Sequence, residues 1–463
     1  MSRRRAGLIW IALFGVYAAT LGVPAADHHR YAGDEPHYLL MARSIASDGD
    51  VDLSDEFARR EYRSFYSGTL RTNGRVIAGR LVEPQPAGVS ALLAPAYALG
   101  GSTAAELVIA ALAALAFVLA VALAHRLVPG PWATLAPVAC ALSPPALAAA
   151  TEIYPDVPAA AALTAAALLA LRYRDRPRLR TAVALGIVLA SVPWLGAKYL
   201  VPAVFVLLAA WRWAARRGRG THGLVAAEVL FASLVAYVTV NGRLYEALTP
   251  YAVGPAGKPT ADALNGADVL ERLPRLASLW LDRGIGLLRW APAFALAFFA
   301  VWLLWRSRRD RVARAVPEQR ETEVTATLLV LLAGSIVLVA VVAAPTISGD
   351  WFPGRHLVAA LPAAAALAAW GLRHAPRVGG ALCALTGAAG LWLFVALRTG
   401  QGTWAHPPHE IPWGPLDALF PRFGTGSAWA AVVGWTLAVA LAALAARELR
   451  RARRQQAATP LSP

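Results

Sequence analysis

The chain is poor in charged residues and in cysteine, and both shortages exclude whole classes of protein. Only 16% of its 463 residues are charged, against about a quarter in soluble globular chains. The two cysteines, Cys140 and Cys383, both lie inside apolar runs, which excludes a disulfide framework and disfavours a thiolate metal site. Lysine is also scarce, because Lys198 and Lys258 are its two occurrences.

Signatures of soluble nucleotide and acyl chemistry are missing too. The sequence has no Gly-Lys-Ser/Thr phosphate loop and no dinucleotide-binding glycine fingerprint, which disfavours an ATP-driven pump. A nucleophile-elbow serine is also missing.

Long apolar runs are abundant instead. Hydrophobic residues make up 57% of the chain, and residues 104–124 form one long apolar run that is interrupted only by Glu106. A run of about 20 apolar residues spans the hydrocarbon core of a bilayer as a helix. The sequence therefore predicts an all-α polytopic membrane protein with about twelve transmembrane helices. The predicted spans are 7–23, 103–125, 131–149, 156–171, 181–194, 197–211, 223–240, 285–305, 325–344, 356–372, 378–397 and 428–446.

Arginine distribution orients these spans. With the N-terminus in the cytoplasm, the cytoplasmic side carries 26 basic residues and the outer side 18, as the positive-inside rule expects. The net charge of +16 then reflects membrane orientation and not nucleic-acid binding. The first span resembles a signal peptide, and we interpret it as a retained anchor. Spans 181–194 and 197–211 are short, so they form either two helices or one broken element.

In this orientation the outer loops are the longer and chemically more varied ones. They are 24–102, 241–284 and 398–427, and the last carries His406 and His409, whose spacing does not indicate a metal site. Residues 1–454 read as one transmembrane domain, followed by a disordered cytoplasmic tail at 455–463. Function concentrates in long loops of mixed chemistry, which favours an active site on the outer face.

The first outer loop opens with the sequence GDEPHY at residues 33–38. Pro36 suits the first turn of a helix, and Asp34 falls near its N-cap. Tyr38, Met41 and Ile45 recur at helical spacing, which predicts an amphipathic helix on the membrane surface that ends near 48–49. An alternative interpretation makes Asp34 only a cap and Glu35 only a complement to the helix dipole.

Two further segments of this loop carry weaker signals. The run LRTNGRVI at 70–77 predicts a small hairpin with an Asn-Gly turn. Glu83 begins the segment EPQPAG at 83–88, and a carboxylate before two prolines is equally typical of a rigid turn.

Other polar residues gather at membrane boundaries on the same predicted side. Ionisable groups at membrane depth are costly and are usually functional or paired. Alternative roles are helix capping for Glu152 and Asp156 and snorkelling toward the interface for Arg355. The candidates are Glu152, Asp156, Lys198, Tyr199, Asp350 and Arg355.

Together these motifs resemble the membrane-embedded type C glycosyltransferases, which include protein O-mannosyltransferases and aminoarabinose transferases. The resemblance rests on Asp34-Glu35 in the first outer loop, on the proline-containing segment after Glu83, and on shorter phrases at 152–156, 193–199 and 354–362. It covers most of the chain, although each motif is short. Gln85 stands where many members have a lysine, and the sequence has no soluble C-terminal domain of the kind found in some relatives.

The resemblance implies transfer of a hexosyl or pentosyl group from a polyprenyl-phosphate sugar to an acceptor hydroxyl or similar nucleophile. Transfer would invert the anomeric centre, at the outer face of a bacterial cytoplasmic membrane. The acceptor could be a glycan, a lipid or a protein, and a divalent metal ion stays open because some members use one. Asp34 and Glu35 would be catalytic. The residues expected to bind donor phosphate or substrate are Lys198, Tyr199, Arg355, Glu83, Asp350, His37, Glu152 and Asp156.

Three other functions remain open from the sequence. A secondary transporter would carry internal repeats and charges near the midplane, and no convincing half-to-half repeat is present. A lipid-carrier ligase or polymerase of envelope polysaccharide would share the donor class. A non-catalytic scaffold would leave the clustered charged residues without a use.

Overall fold

The computed structural model describes most of the chain as a bundle of helices. The described residues are 1–27, 29–218, 220–254, 266–309, 317–344, 347, 349–408 and 420–423, with positions 436 and 439. Within them, seven helical segments are long and apolar enough to cross a membrane, so the chain is a polytopic membrane protein. These segments are Ala87–Ala124, Asp156–Asp175, Ala197–Ala215, Gly220–Val253, Arg320–Ala343, Arg355–His374 and Pro376–Arg398.

The helices follow the predicted spans in order. The helix over the predicted span 103–125 begins earlier, at Ala87, and the predicted span 131–149 is divided into two short helices. Helices before the first long span are α1 (Arg3–Ala19), α2 (Glu35–Ser47) and α3 (Ser54–Ala58). The next group is α4 (Ala87–Ala124), α5 (Trp132–Ala141), α6 (Pro144–Ala149), α7 (Asp156–Asp175), α8 (Leu179–Leu195), α9 (Leu200–Ala215) and α10 (Gly220–Tyr245). The last group is α11 (Gly266–Arg272), α12 (Arg275–Leu281), α13 (Leu287–Trp290), α14 (Ala295–Arg309), α15 (Pro317–Ala343), α16 (Leu361–His374) and α17 (Pro376–Arg398).

Some sequence predictions are settled by these bounds and others are not. The segment 181–211 forms two helices, because α8 ends at Leu195 and Gly196 adopts a φ of 154° before a short 3-10 turn leads into α9. The predicted twelfth span, 428–446, lies outside the described residues apart from positions 436 and 439, and the tail 455–463 lies wholly outside them. A total of twelve spans therefore stays a prediction.

Contacts between loops fix which helix ends lie together. Arg174 at the end of α7 pairs with Glu321 near the start of α15, with the two side chains 2.5 Å apart. Arg126, just after α4, pairs with Asp175. At the opposite end, Arg398 of α17 donates to backbone carbonyls at the end of α1. The Arg-rich connections joined by the first two contacts therefore lie together at one end of the bundle, as the orientation predicted from the sequence requires.

The bundle core is built from small residues. Alanines fill much of α7 and α16, which are buried along most of their length. Gly371 of α16 lies so close to α14 that an added Cβ would approach the Leu296 carbonyl oxygen to 2.3 Å. Small side chains let membrane helices approach closely, and α7 and α16 both begin at the end of the bundle opposite Arg174.

Helix α2 forms where the sequence predicts it and ends at the predicted place, with Asp48 as C-cap. The prediction that it is amphipathic, with a single apolar face, was wrong. Tyr38 and Leu39 pack into the main core while Leu40 and Met41 pack into a second cluster with Leu53 and Tyr62. Consecutive residues point to different faces of a helix, so α2 is buried on two faces. Its periodic residues do not mark a single apolar stripe.

The hairpin of the first loop is displaced from its predicted position. Strands β1 (Arg75–Ile77) and β2 (Arg80–Val82) pair antiparallel, with Ile77 opposite Arg80. Ala78 and Gly79 form the turn with φ values of 49° and 81°, the two positive values that a type I′ turn requires. The Asn73–Gly74 pair is not the turn. Gly74 instead lies against Val82, whose carbonyl oxygen would be 1.9 Å from an added Cβ.

Candidate active site around Asp34, Tyr154 and Asp156

The start of α2 holds Asp34 in a fixed position. Gly33 before it has a φ of 56°, and an added Cβ there would come within 2.6 Å of the Tyr154 hydroxyl. Asp34 occupies the N-cap position, but its side chain makes no capping hydrogen bond. Its Oδ1 instead accepts a hydrogen bond from Gln85 Nε2 at 3.2 Å. The half-buried carboxylate therefore does not cap the helix. This disfavours the alternative interpretation, in which Asp34 is only an N-cap.

Tyr154 connects Asp34 to Arg355. Its hydroxyl oxygen accepts from the Asp34 backbone N–H at 3.1 Å and donates to the Ala32 carbonyl at 3.1 Å. The Arg355 guanidinium carbon lies 3.3 Å from the centroid of the same ring, within the range of a cation–π contact. Tyr154 therefore sets the relative positions of one carboxylate and one cation that are far apart in the sequence.

Asp156 gathers two cations at the N-terminus of α7. Its Oδ1 accepts from Lys198 Nζ at 2.9 Å and from the Tyr199 hydroxyl at 2.5 Å. Its Oδ2 faces Arg355 Nε at 3.4 Å. The break at Gly196 between α8 and α9 places Lys198 here, and the side chain keeps 32% of its surface exposed. Two positive charges against one negative leave this cluster positive, beside a helix N-terminus that also favours anions.

Glu35 and Glu152 are buried carboxyls that join chain segments. Glu35 accepts from the Ala32 N–H at 2.9 Å and from the Ile153 N–H at 2.8 Å. Burial and the nearby Glu152 raise the pKa of Glu35 to about 8, against the effect of those two amides. Burial raises the pKa of Glu152 to about 7, and Arg355 opposes that rise. Since both Glu35 oxygens are occupied by backbone amides, its contacts are those of a residue that positions others.

A second buried pair lies beneath the first turn of α2. His37 Nδ1 lies 2.5 Å from Glu83 Oε2, and both side chains are almost fully buried. The other Glu83 oxygen accepts from the Thr72 hydroxyl at 3.0 Å and from the Asn73 N–H at 3.1 Å. Glu83 therefore contacts His37 of α2, and Gln85 contacts Asp34 at its N-cap, both from the segment after β2.

Asp350 lies at the edge of the site. It is exposed, and its backbone carbonyl lies 3.6 Å from the position of a Cβ on Gly33. Phe352, two residues on, is buried, and its N–H approaches Glu152 Oε1 at 3.5 Å. The segment that leads to Arg355 is therefore held against both Gly33 and Glu152.

Four side chains of the site were not among the sequence candidates: Gln85, Tyr38, Tyr154 and Tyr251. Burial, Tyr251 and Asp34 raise the pKa of Tyr38 well above its usual range, and Arg355 opposes the rise, so these groups lie near one another. The Tyr38 ring also packs edge-on against Tyr154. Tyr154 had a usable signal, because it lies between Glu152 and Asp156 in the sequence. Gln85 stood at a position where many members of the resembled family have a lysine, whereas Tyr251 had no signal.

Residues that could share a metal ion lie elsewhere. Among the described residues, the acidic or histidine group with suitable spacing is Asp48, Asp55 and Glu56. It lies at the C-terminal end of α2, whereas Asp34 lies at the N-terminal end. Thirteen helical residues separate Asp48 from Asp34, which is about 20 Å at 1.5 Å per residue.

Comparison with known proteins gives structural neighbours but no sequence relatives. No protein-family model and no curated protein matches the chain. The solved structure of ArnT from Cupriavidus metallidurans bound to undecaprenyl phosphate aligns with 86% of this chain and 72% of its own, at a TM-score of 0.53 and 15% identity. The apo form of ArnT gives 85%, 70%, 0.48 and 17% for the same quantities.

The archaeal oligosaccharyltransferase AglB from Archaeoglobus fulgidus, in complex with an inhibitory peptide and a dolichol-phosphate, covers 90% of this chain and 60% of its own. Its TM-score is 0.46 and its identity 11%. The likeness to undecaprenyl-phosphate-bound ArnT is the one that supports a conclusion about architecture. The chain therefore has the fold of ArnT.

Proposed function

We propose that this protein transfers a sugar from a polyprenyl-phosphate donor to an acceptor hydroxyl, with inversion at the anomeric carbon. The donor class is supported by the ArnT structure, which was solved with undecaprenyl phosphate. Because 15% identity supports the fold alone, the proposal depends on the site residues themselves. The observation that carries it is the meeting of Lys198 and Arg355 on Asp156. Arg355 also lies over the ring of Tyr154, whose hydroxyl accepts from the Asp34 backbone N–H.

Lys198 and Arg355 are the proposed phosphate ligands. Asp156 holds both cations in place, yet it neutralises only one of their two charges. A guanidinium offers paired donors to phosphate oxygens, and an ammonium adds a compact charge. Negative charge builds on the phosphate as its bond to the sugar breaks, so fixed cations stabilise the transition state more than the ground state. Tyr199 supports this arrangement through its bond to Asp156.

Asp34 is the proposed general base. Its carboxylate takes the proton of the acceptor hydroxyl while that oxygen attacks the anomeric carbon and the polyprenyl phosphate departs with the electron pair of the broken bond. The Gln85 amide orients the carboxylate by donating to Oδ1 at 3.2 Å. In this scheme the surrounding backbone is fixed by Glu35, His37, Glu83 and Glu152. Asp350 lies at the edge of the site.

The proposed reaction takes place at the outer face of a bacterial cytoplasmic membrane, with both termini in the cytoplasm. This follows from the predicted orientation, in which the Arg-rich ends of α4 and α7 face the cytoplasm. Asp34 and Asp156 then lie at the outer end of the bundle.

A product assay tests the proposal directly. Purified protein is incubated with a panel of polyprenyl-phosphate sugars and with glycan, lipid and peptide acceptors, and the products are identified by mass spectrometry. We expect release of polyprenyl phosphate together with a new glycoside. A secondary transporter would move a solute in proteoliposomes and form no covalent product, and a polysaccharide ligase would release a carrier from a long glycan and not from a single sugar.

A further inference from the structure

An unusually acidic segment follows α2. Residues 48–56 read DGDVDLSDE, and two of their five carboxylates hold the turn itself. Asp50 Oδ1 accepts from the Asp52 N–H at 3.0 Å and from the Ser44 hydroxyl at 3.2 Å. Asp52 Oδ1 accepts from the Ser54 N–H at 3.0 Å and from the Leu81 N–H at 2.9 Å. The fold therefore uses Asp50 and Asp52 for backbone geometry.

The other three carboxylates converge. Asp48, Asp55 and Glu56 each offer an oxygen, and these oxygens lie within 4.8 Å of one another. Two oxygens bound to one calcium ion at about 2.4 Å can be up to about 4.8 Å apart. Like charges at this separation repel unless a cation lies between them.

The burial of Glu56 is a second observation that points to a cation. Glu56 is 1% exposed, and neither carboxylate oxygen has a donor in hydrogen-bonding geometry. The nearby Ser44 hydroxyl donates to Asp50 and to the Asp52 carbonyl instead. Buried charges are normally paired or bound to a metal.

The charged and polar neighbours of the cluster do not supply that compensation. Arg59 Nη1 lies 3.2 Å from Asp55 Oδ2 and 3.7 Å from Glu61 Oε1, but its side chain is 66% exposed, and such surface pairs contribute little. Ser47 donates to Asp48 at 3.1 Å. The C-terminus of α2 lies next to Asp48 and adds negative character of its own.

We propose that Asp48, Asp55 and Glu56 bind a calcium ion. The three ligands are carboxylates with no nitrogen or sulfur, which is the donor set of a hard cation. Calcium accepts six to eight oxygens in an irregular arrangement, so water and backbone carbonyls can complete its shell, whereas magnesium demands a near-ideal octahedron. The site is separate from the transfer site, since the length of α2 lies between them.

A calcium ion here braces the loop that supports Asp34. It joins the end of α2 to α3, and Phe57 of α3 contacts the His37 ring at a centroid distance of 6.5 Å. The Leu53 N–H donates to the Leu81 carbonyl of β2 at 2.9 Å, and β2 leads into Glu83. The ion therefore stabilises the scaffold of the first loop, whatever reaction the protein catalyses.

Thermal unfolding of the full chain in detergent tests the site. After removal of metal with EGTA, addition of 1–10 mM CaCl2 should raise the unfolding temperature by several degrees, since sites of this kind bind with a Kd of about 10⁻⁴–10⁻³ M. Asp27→Asn, at an exposed acid of the same loop, should keep the response. Asp48→Asn and Glu56→Gln should lose it.

Glu56→Gln also separates metal binding from misfolding. This substitution removes an unpaired buried charge, so the metal-free variant should unfold at or above the temperature of the metal-free parent while gaining nothing from calcium. Equilibrium dialysis with ⁴⁵Ca²⁺ should find one ion bound to the parent and none to this variant. The proposal is wrong if calcium leaves the parent unchanged, if both variants keep the full response, or if magnesium has an equal effect.

Discussion

The backbone N–H of Asp34 donates a hydrogen bond of 3.1 Å to the hydroxyl oxygen of Tyr154. The ring of the same tyrosine lies beneath the Arg355 guanidinium, 3.3 Å from centroid to carbon. One rigid side chain thus connects the proposed base to a proposed phosphate ligand. In the proposed reaction, the attacking oxygen of the acceptor and the departing oxygen of the phosphate must be held in the correct relative geometry. Tyr154 is placed to hold them so.

Tyr154→Phe should separate positioning from binding. The ring and its contact with Arg355 stay, while the hydrogen bonds to the Asp34 N–H and the Ala32 carbonyl are lost. The Asp34 N–H is then left without its acceptor, and an unsatisfied buried N–H costs about 1–3 kcal/mol. We therefore expect kcat to fall at least tenfold, with little change in the affinity for the polyprenyl-phosphate sugar. Tyr66→Phe, elsewhere in the loop, should leave both unchanged. An equal loss of affinity would show that the hydroxyl does not act through Asp34.

Arg355→Ala should weaken donor binding more than it lowers thermal stability. The substitution removes a cation that faces Asp156 at 3.4 Å and whose planar group suits phosphate oxygens. We expect the Kd for a polyprenyl phosphate to rise at least tenfold, as measured by titration in detergent. Arg355→Lys keeps the charge without the planar group, so its Kd should lie between those of the parent and of Arg355→Ala. Parallel losses of folding and binding would favour a purely structural arginine.

Glu152→Gln should reduce the pH dependence of stability. The folded-state pKa of about 7 lies above the ordinary value of 4.5, so the folded protein binds more protons between these values. The contribution of Glu152 to stability should therefore be largest below pH 4.5 and fall as pH rises toward 7, by roughly 1 kcal/mol per pH unit. The variant should lose this part of the slope in unfolding curves from pH 5 to 8. An unchanged slope would contradict the assignment.

The orientation of the bundle is open to cysteine labelling. Ser67 is exposed in the first loop, and Arg180 is exposed at the Arg-rich end. In a background where Cys140 and Cys383 are replaced by alanine, Ser67→Cys should react with an impermeant maleimide in intact cells. Arg180→Cys should react only after lysis. The reverse pattern would overturn the proposed topology.

Much of the helical architecture could be predicted from the sequence because its signal is local. The length of an apolar run predicts where a membrane helix lies, and Pro36 indicates where α2 begins. The same local reasoning failed on burial. Tyr38, Met41 and Ile45 follow a helical period, yet Leu39 and Leu40 are also fully buried, because core and loop cluster pack against different faces of α2.

Turn chemistry misled the hairpin prediction for a similar reason. Asn-Gly is a strong turn signal, but Glu83 takes the Asn73 N–H and Val82 packs on Gly74. Ala78 then adopts the positive φ that the sequence does not favour. A tertiary contact decided the position of this turn.

The charged residues of the site could be listed from the sequence, but their pairing could not. Lys198 and Arg355 stand out as cations near predicted membrane boundaries, and both meet Asp156. That convergence depends on how α7, α9 and α16 pack, which no local pattern encodes. Gln85 and Tyr154 lie beside sequence candidates, but their hydrogen bonds to Asp34 appear only in the structure.

The role of Asp34 is tested most directly by single-turnover kinetics of Asp34→Asn with a polyprenyl-phosphate sugar and its acceptor. Asparagine is about as good an N-cap as aspartate but cannot take the acceptor proton. We predict a loss of about 10²-fold or more in turnover, with donor binding and unfolding temperature retained, and a milder effect for Glu35→Gln. Near-normal turnover of Asp34→Asn would contradict the account, because the proposed base would then be dispensable.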